Sequence, residues 1–321
     1  MRPVILITES LRFSEAAAQI LRGSAEVRLA DLNRDALIAA IPDADAVWVR
    51  LRHQIDREVF EAAPRLRLIA TPTTGLNHLS LEEAARRDVR IVSLRGQTEF
   101  LRDIPATAEH TLALIFALVR HIPAASAHVQ SGGWDRDLFC GNDLNGKTAG
   151  VIGYGRIGRM VARYLLALGM RVQAADSADL AGEPGVTLVP LNELLEQSDI
   201  VTLHASFSEQ TRGLIGRSEF ARMKAGTWFV NTARGELVDE DALLEALRFG
   251  RIAGAALDVL SDEQSAGVGQ NRLIEYARHA NNLIITPHIG GCTAESMEKT
   301  EIFLAGRVAT ALAALQSLCV G

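Results

Sequence analysis

TAGVIGYGRIG, residues 148–158, is a short apolar strand pattern that runs straight into Gly153-Tyr154-Gly155-Arg156-Ile157-Gly158, a GxGxxG spacing. Glycine-rich turns are common, so the flanks decide its meaning. Downstream, Ile157, Met160, Val161, Tyr164, Leu165 and Leu168 recur at helical spacing on one face. A strand, a glycine turn and an amphipathic helix in that order make a dinucleotide fingerprint. The first glycine permits the tight turn, the second lets backbone approach a pyrophosphate, and the third lets helix and strand pack closely. The helix N-terminus then faces the phosphate charge. The next strand pattern ends in Asp176, placed to accept hydrogen bonds from an adenosine ribose. Ser177 and Ala178 follow it, with no Arg to hold a 2′-phosphate, so the expected cofactor is NAD rather than NADP.

Outward from this motif the same alternation of strand and helix continues. VQAAD (172–176), DIVTLH (199–204), TWFVN (227–231), AGAALDV (253–259) and LIITP (283–287) follow it. VILIT (4–8), AVWV (46–49), LRLIA (66–70) and VRIVS (89–93) form an earlier series. Short apolar runs separated by helical patterns indicate parallel sheets covered by helices on both faces. The fold class is therefore α/β with two doubly wound parallel-sheet domains. Between the two series, ATAEHTLALIFALVR (106–120) has apolar residues too dense for a surface helix and reads as a buried helix joining them. The amphipathic tail from Glu295 to Leu315 is expected to fold back on the first domain. The expected boundaries are 1–104 with 290–321 for one domain and 105–289 for the dinucleotide-binding one.

Composition narrows the function. With 33 Lys and Arg against 39 Asp and Glu, the net charge of −6 supplies no basic field for nucleic acid or anionic lipid. The longest uninterrupted apolar run, Leu112 to Val119, is far short of the ~20 residues a spanning helix needs. The N-terminal Met1-Arg2-Pro3-Val4-Ile5-Leu6 leads into a strand pattern without a signal-peptide core. Cys140, Cys292 and Cys319 are odd in number and widely spaced, which encodes neither a disulfide framework nor a zinc site. A cytoplasmic protein without a metal, a membrane or a nucleic-acid partner is the expectation. Cys140, Cys292 and Trp134 read as packing residues, and His110 as a helix–helix contact.

Three polar residues follow predicted strands of the second series: Arg234, Glu263 and His288. Ligands of open parallel sheets sit at the carboxyl ends of the strands, so these side chains are placed to converge near the fingerprint. Arg234 offers a charged fork for a carboxylate, His288 exchanges a proton near neutral pH, and Glu263 can fix the imidazole and its charge. A proton carrier beside a hydride carrier is what alcohol–ketone interconversion requires.

NTARG (231–235), GAALDV (254–259) with Glu263 five residues after Asp258, TPHIGG (286–291) and GYGRIG together closely resemble the D-isomer-specific 2-hydroxyacid dehydrogenases. The resemblance covers nearly the whole chain. It implies a Rossmann coenzyme domain inserted into a flavodoxin-like catalytic domain, a small 2-hydroxy or 2-keto acid as substrate, and a homodimer. It further implies that Arg234 binds the substrate carboxylate, His288 is the acid/base and Glu263 its partner. Asp258 would hold the nicotinamide carboxamide, the backbone of Thr232 and Ala233 would line the nicotinamide pocket, and His204 would belong to the cofactor site. TTGLNHLSL (73–81) matches the family's substrate loop, with the backbone of Thr74 and Gly75 toward the carboxylate.

Departures from the family pattern are Asn77-His78, Ser206 and Gln264, where Asp-Asn, Pro and Pro are usual, and a longer loop from Gly96 to Glu109. VRLRHQID (49–56) is similar to phosphoglycerate dehydrogenases, where Arg50 or Arg52 would meet a phosphate; the alternative is a pair of solvated strand-end charges. The chain ends at Gly321 without room for a C-terminal regulatory domain, so a phosphoglycerate dehydrogenase of this form is expected to ignore serine. A non-catalytic NAD(H)-sensing binding protein is the competing class.

Overall fold

The computed structural model describes residues 2–178, 181–261, 263 and 267–317; Gln264 and Cys319 lie outside them. The chain divides into two compact units, one formed by Met1–Asp103 with Cys292–Gly321, the other by Ile104–Gly291.

In the first unit, β1 (Val4–Ile7), α1 (Glu15–Ser24), β2 (Glu26–Leu29), α2 (Arg34–Ala40), β3 (Ala46–Trp48), α3 (Arg57–Ala62), β4 (Leu68–Thr71), α4 (Leu81–Arg86), β5 (Arg90–Ser93) and α5 (Thr98–Leu101) alternate. The strands pair in parallel in the order β2-β1-β3-β4-β5, the flavodoxin-like arrangement. β1, β3 and β4 are buried throughout, which is why they read as continuous apolar runs. Ser14, Asn33, Asp56 and Ser80 start their helices by accepting a bond from a first-turn N–H. The C-terminal helix Ala294–Ser317 packs along α1, and its Phe303 stacks on Phe100 of α5 with ring centroids 3.9 Å apart.

In the second unit, α6 (Ala106–Val119) and α7 (Ile122–Gln130) precede β6 (Thr148–Ile152), α8 (Arg156–Ala167), β7 (Arg171–Ala175), β8 (Val186–Leu188), α9 (Leu191–Gln197) and β9 (Ile200–Leu203). Then come α10 (Arg217–Arg222), β10 (Trp228–Asn231), α11 (Glu240–Arg248), β11 (Gly254–Leu257), α12 (Arg272–Ala277) and β12 (Leu283–Ile285). The order is β12-β11-β10-β9-β6-β7-β8, all parallel: successive strands are added to one side of β6 as far as β8 and then to its other side from β9 on, so the strand order reverses between β6 and β9. That is the Rossmann order with one further strand, and its switch point lies at the strand that leads into the glycine motif. α6 carries Leu114, Ile115, Leu118 and Val119 into the core with β6, β10 and α8.

Trp134, Cys140 and Cys292 are exposed, contrary to their reading as packing residues. Small or aromatic residues in an apolar context look alike in sequence whether they face inward or outward. Among the described residues no single helix is long and apolar enough to cross a membrane.

Candidate active site

The glycine turn is built as its spacing requires. Gly153 has φ +88°, and a Cβ there would lie 2.4 Å from the Ala205 backbone nitrogen. At Gly158 a Cβ would lie 2.1 Å from the Gly153 carbonyl oxygen, so α8 can approach β6 only because the side chain is missing. Gly155 differs: a Cβ there meets nothing within 4 Å, and as N-cap it gives α8 no side-chain capping bond. Gly155 thus gives α8 no side-chain cap and leaves open space at the start of the helix, a cradle for a pyrophosphate. Asp176, just past β7, closes the other side, its carboxylate accepting from the Tyr154 N–H at 2.7 Å and the Ala178 N–H at 2.9 Å. These groups fit an NAD molecule.

Within the motif the side chains divide. Tyr154 is fully buried, with the Arg159 guanidinium 4.3 Å from its ring centroid, so only its backbone faces the turn. Ile157 packs half-buried against the core, and Arg156 donates to the Ile104 carbonyl at 3.1 Å. Gly155→Ala and Gly158→Ala should therefore fail differently. Gly158→Ala is expected to lower the melting temperature by about 2–12 °C through overpacking of about 1–3 kcal/mol, and to weaken NADH binding. Gly155→Ala should leave the melting temperature in place and weaken NADH binding alone. Thermal melts and NADH titrations of the two proteins check this, and equal melting losses would contradict it.

His204 follows β9, its backbone N–H bonded to the Ile152 carbonyl at 2.7 Å and its Nε2 2.9 Å from Thr202 Oγ1. Burial pushes its pKa down to about 3, so the imidazole is neutral in the folded protein near neutrality. The unfolded chain takes up a proton near 6.5 that the folded protein refuses. His204 thus contributes stability that is present above pH 6.5 and lost as the pH falls toward 3. Melting temperature measured across this window should fall less steeply in His204→Asn than in the wild type; parallel curves would contradict this.

Arg234 leaves β10 through NTARG. Asn231, 1% exposed, folds this loop: its amide donates to the Arg234 carbonyl at 2.8 Å and its Oδ1 accepts from the Ala233 N–H at 2.9 Å. Thr232 is buried with its hydroxyl 2.8 Å from Thr111 Oγ1. A Cβ on Gly235 would lie 2.0 Å from the Leu260 carbonyl carbon, so this loop lies directly on the segment that leads to Glu263. Burial pulls the Arg234 guanidinium below its ordinary pKa, and the neighbouring Glu263 opposes that pull. Nη1 of Arg234 donates to the Ala233 carbonyl at 2.6 Å.

His288 lies just past β12 with φ +53°, a left-handed conformation that a non-glycine residue holds only at a cost of order 1–3 kcal/mol. Its backbone N–H donates to the Asp258 carbonyl at 2.8 Å, and its Nδ1 donates to Glu263 Oε1. That bond fixes the tautomer and leaves Nε2 to meet a reacting oxygen. The two side chains are 21% and 26% exposed, enough for a substrate to reach them.

Asp258 is turned into the protein. Its carboxylate accepts from Thr286 Oγ1 at 2.6 Å, the Ile289 N–H at 2.9 Å, the Gly290 N–H at 2.7 Å and His110 Nε2 at 3.2 Å. Burial pushes its pKa up, but the hydrogen bonds from His110, Thr286, Ile289 and Gly290 outweigh this and hold it below the usual carboxylate range. Asp258 is 1% exposed, and its carboxylate folds the turn after His288 through the Ile289 and Gly290 N–H groups. His110 is accordingly a polar contact to Asp258 and Thr286, and its reading as a helix–helix contact is corrected. Asn231, Gly235 and His110 escaped sequence reasoning as site residues, although the first two are the ends of NTARG, where the glycine was a legible signal.

The remaining expected substrate residues belong to the first unit. The loop after β4 is held by Thr71 Oγ1, which contacts Thr73 Oγ1 at 3.0 Å and His78 Nε2 at 3.1 Å, while Thr73 Oγ1 donates to the Gly75 carbonyl at 2.7 Å. Thr74 sits between these anchored residues. Arg50 donates through Nε to Glu301 at 3.0 Å and through Nη1 to the Leu11 carbonyl at 3.0 Å, and the Glu301 side chain is 1% exposed. Arg52 pairs with Asp31 at 2.7 Å. Among the described residues no group of three or more His, Cys, Asp or Glu side chains is placed to hold a metal ion.

Known proteins share the sequence and fold of this chain. The NAD binding domain of D-isomer specific 2-hydroxyacid dehydrogenase matches residues 112–290. D-3-phosphoglycerate dehydrogenase of Mycobacterium tuberculosis is 39% identical over 315 residues, 97% of this chain and 57% of the relative. Hydroxypyruvate reductase of Thermotoga maritima is 33% identical over 294 residues, 91% of this chain and 93% of the relative. The D-lactate dehydrogenase of Aquifex aeolicus, solved with NAD and lactic acid, superimposes with a TM-score of 0.80 at 28% identity, covering 95% of this chain and 94% of that one. The chain thus spans little more than half the length of its phosphoglycerate dehydrogenase relatives and nearly all of the shorter ones.

Proposed function

The chain belongs to the D-isomer specific 2-hydroxyacid dehydrogenase family, and from that premise we propose that it interconverts a D-2-hydroxy acid and its 2-keto acid with NAD. The observation that carries the reading is the convergence of Arg234, Glu263 and His288, which follow the adjacent strands β10, β11 and β12 of the sheet that also bears the glycine cradle. Bound NAD(H) supplies or accepts the hydride at the substrate's second carbon. His288 Nε2 gives the carbonyl oxygen a proton in reduction and takes it back in oxidation. Glu263, on Nδ1, orients the ring and stabilises the imidazolium. Arg234 holds the substrate carboxylate and favours charge developing on the neighbouring oxygen. Thr232 and Ala233 shape the nicotinamide side. Arg50 is left out of the substrate set because its fork is engaged by Glu301 and Leu11.

The partner is a second copy of the chain. Ile122, Val129, Trp134 and Leu138 are each about half exposed or more along α7 and the segment after it, an apolar surface that an isolated subunit would leave in water. A cytosolic location accords with the cysteine pattern and the negative net charge. NADH absorbance followed with glyoxylate, hydroxypyruvate, 3-phosphohydroxypyruvate and a branched-chain 2-keto acid tests the activity. One acid with kcat/KM of about 10⁴ M⁻¹s⁻¹ or more, and a strong preference over NADPH, is expected. Tight NADH binding without turnover of any acid would favour a sensing role.

A further inference from the structure

We propose that His110 of α6 is a positioning residue for the acid/base, holding His288 in place through Asp258 and Thr286; the proposal rests on the reading of His288 given above. An ionised carboxylate only accepts hydrogen bonds, and the Thr286 hydroxyl spends its proton on Asp258 Oδ1 at 2.6 Å. The His110 ring must therefore be the donor, sharing its Nε2–H between Thr286 Oγ1 at 3.1 Å and Asp258 Oδ1 at 3.2 Å. Asp258 in turn grips the turn that carries His288: its carboxylate takes the N–H groups of Ile289 and Gly290, and its carbonyl takes that of His288. Gly290 leaves room for this, since a Cβ there would lie 2.8 Å from Asp258 Oδ2.

The brace matters because His288 sits at φ +53°, with its ring held at Nδ1 by Glu263 and its backbone N–H held by the Asp258 carbonyl. Fixing the carboxylate from α6 therefore fixes where Nε2 points. Thr111, the next residue of the same helix, reaches Thr232 at 2.8 Å, just ahead of Arg234. One buried helix thus supports both loops that carry the polar chemistry.

The test compares His110→Leu, which keeps bulk and removes the donor, with His110→Gln, whose amide nitrogen can stand where Nε2 does. With hydroxypyruvate as the probe, His110→Leu is expected to lower kcat roughly tenfold or more, as loss of a hydrogen bond to a charged group does. The NADH dissociation constant by fluorescence should stay close to wild type, the melting temperature should fall by only a few degrees for the donor lost at Asp258, and His110→Gln should recover most of kcat. Wild-type kcat in His110→Leu would overturn the proposal. So would failure of His110→Gln to recover activity, or a joint fall of kcat, NADH affinity and melting temperature. His288→Asn is measured alongside: if it retains full kcat, the assignment of the acid/base has failed, whereas a dead His288→Asn beside an unaffected His110→Leu fails the brace alone.

Discussion

Replacing His288 with Asn is expected to lower kcat by about 10²–10⁴-fold, the usual worth of general acid–base catalysis, with NADH affinity little changed. Asparagine has a similar reach but exchanges no proton, so hydride transfer would leave an uncompensated alkoxide. The Nδ1 bond to Glu263 makes the expectation sharper, because the ring is oriented by a carboxylate and presents one nitrogen outward. Steady-state rates with saturating NADH and 2-keto acid, together with an NADH fluorescence titration, read the two effects separately. A variant that turns over at the wild-type rate would remove His288 from the chemistry.

Arg234→Gln should cut kcat/KM by about 30- to 4,000-fold, which corresponds to the 2–5 kcal/mol typically lost when one member of a hydrogen-bonded, desolvated charge pair is truncated. Its guanidinium is charged at any working pH, is set by the Asn231 staple and the close approach of Gly235, and lies beside Glu263. Arg234→Lys should fall between wild type and Arg234→Gln, since an ammonium restores the charge without the fork. The loss should show mainly as a raised KM for the keto acid if the carboxylate is held equally in ground and transition states, and in kcat if Arg234 acts on the reacting oxygen. An unaltered kcat/KM in Arg234→Gln would contradict the role.

The architecture was legible where strands are buried on both faces. VILI, LIAT, IVTL and GAAL form parallel strands and read as unbroken apolar runs. β2 (EVRL) and β8 (VTL) escaped notice for the converse reason: they are edge strands whose side chains are mostly exposed, so no burial pattern marks them. The fingerprint was legible because sterics leave no alternative to glycine at Gly153 and Gly158. What short-range reading does not reveal is a partner far away in the chain. His110 and Asp258 are separated by 148 residues in sequence, and Arg50 and Glu301 by 251. The first pair turns a seemingly packing histidine into a polar brace, and the second occupies an arginine that resembled a phosphate ligand.

The most direct test is the fate of the hydride. Protein incubated with NADH deuterated at the transferable C4 position and with the 2-keto acid it reduces fastest should yield a D-2-hydroxy acid carrying deuterium at its second carbon. Absence of deuterium from that carbon, or a product of the opposite configuration, would contradict the account.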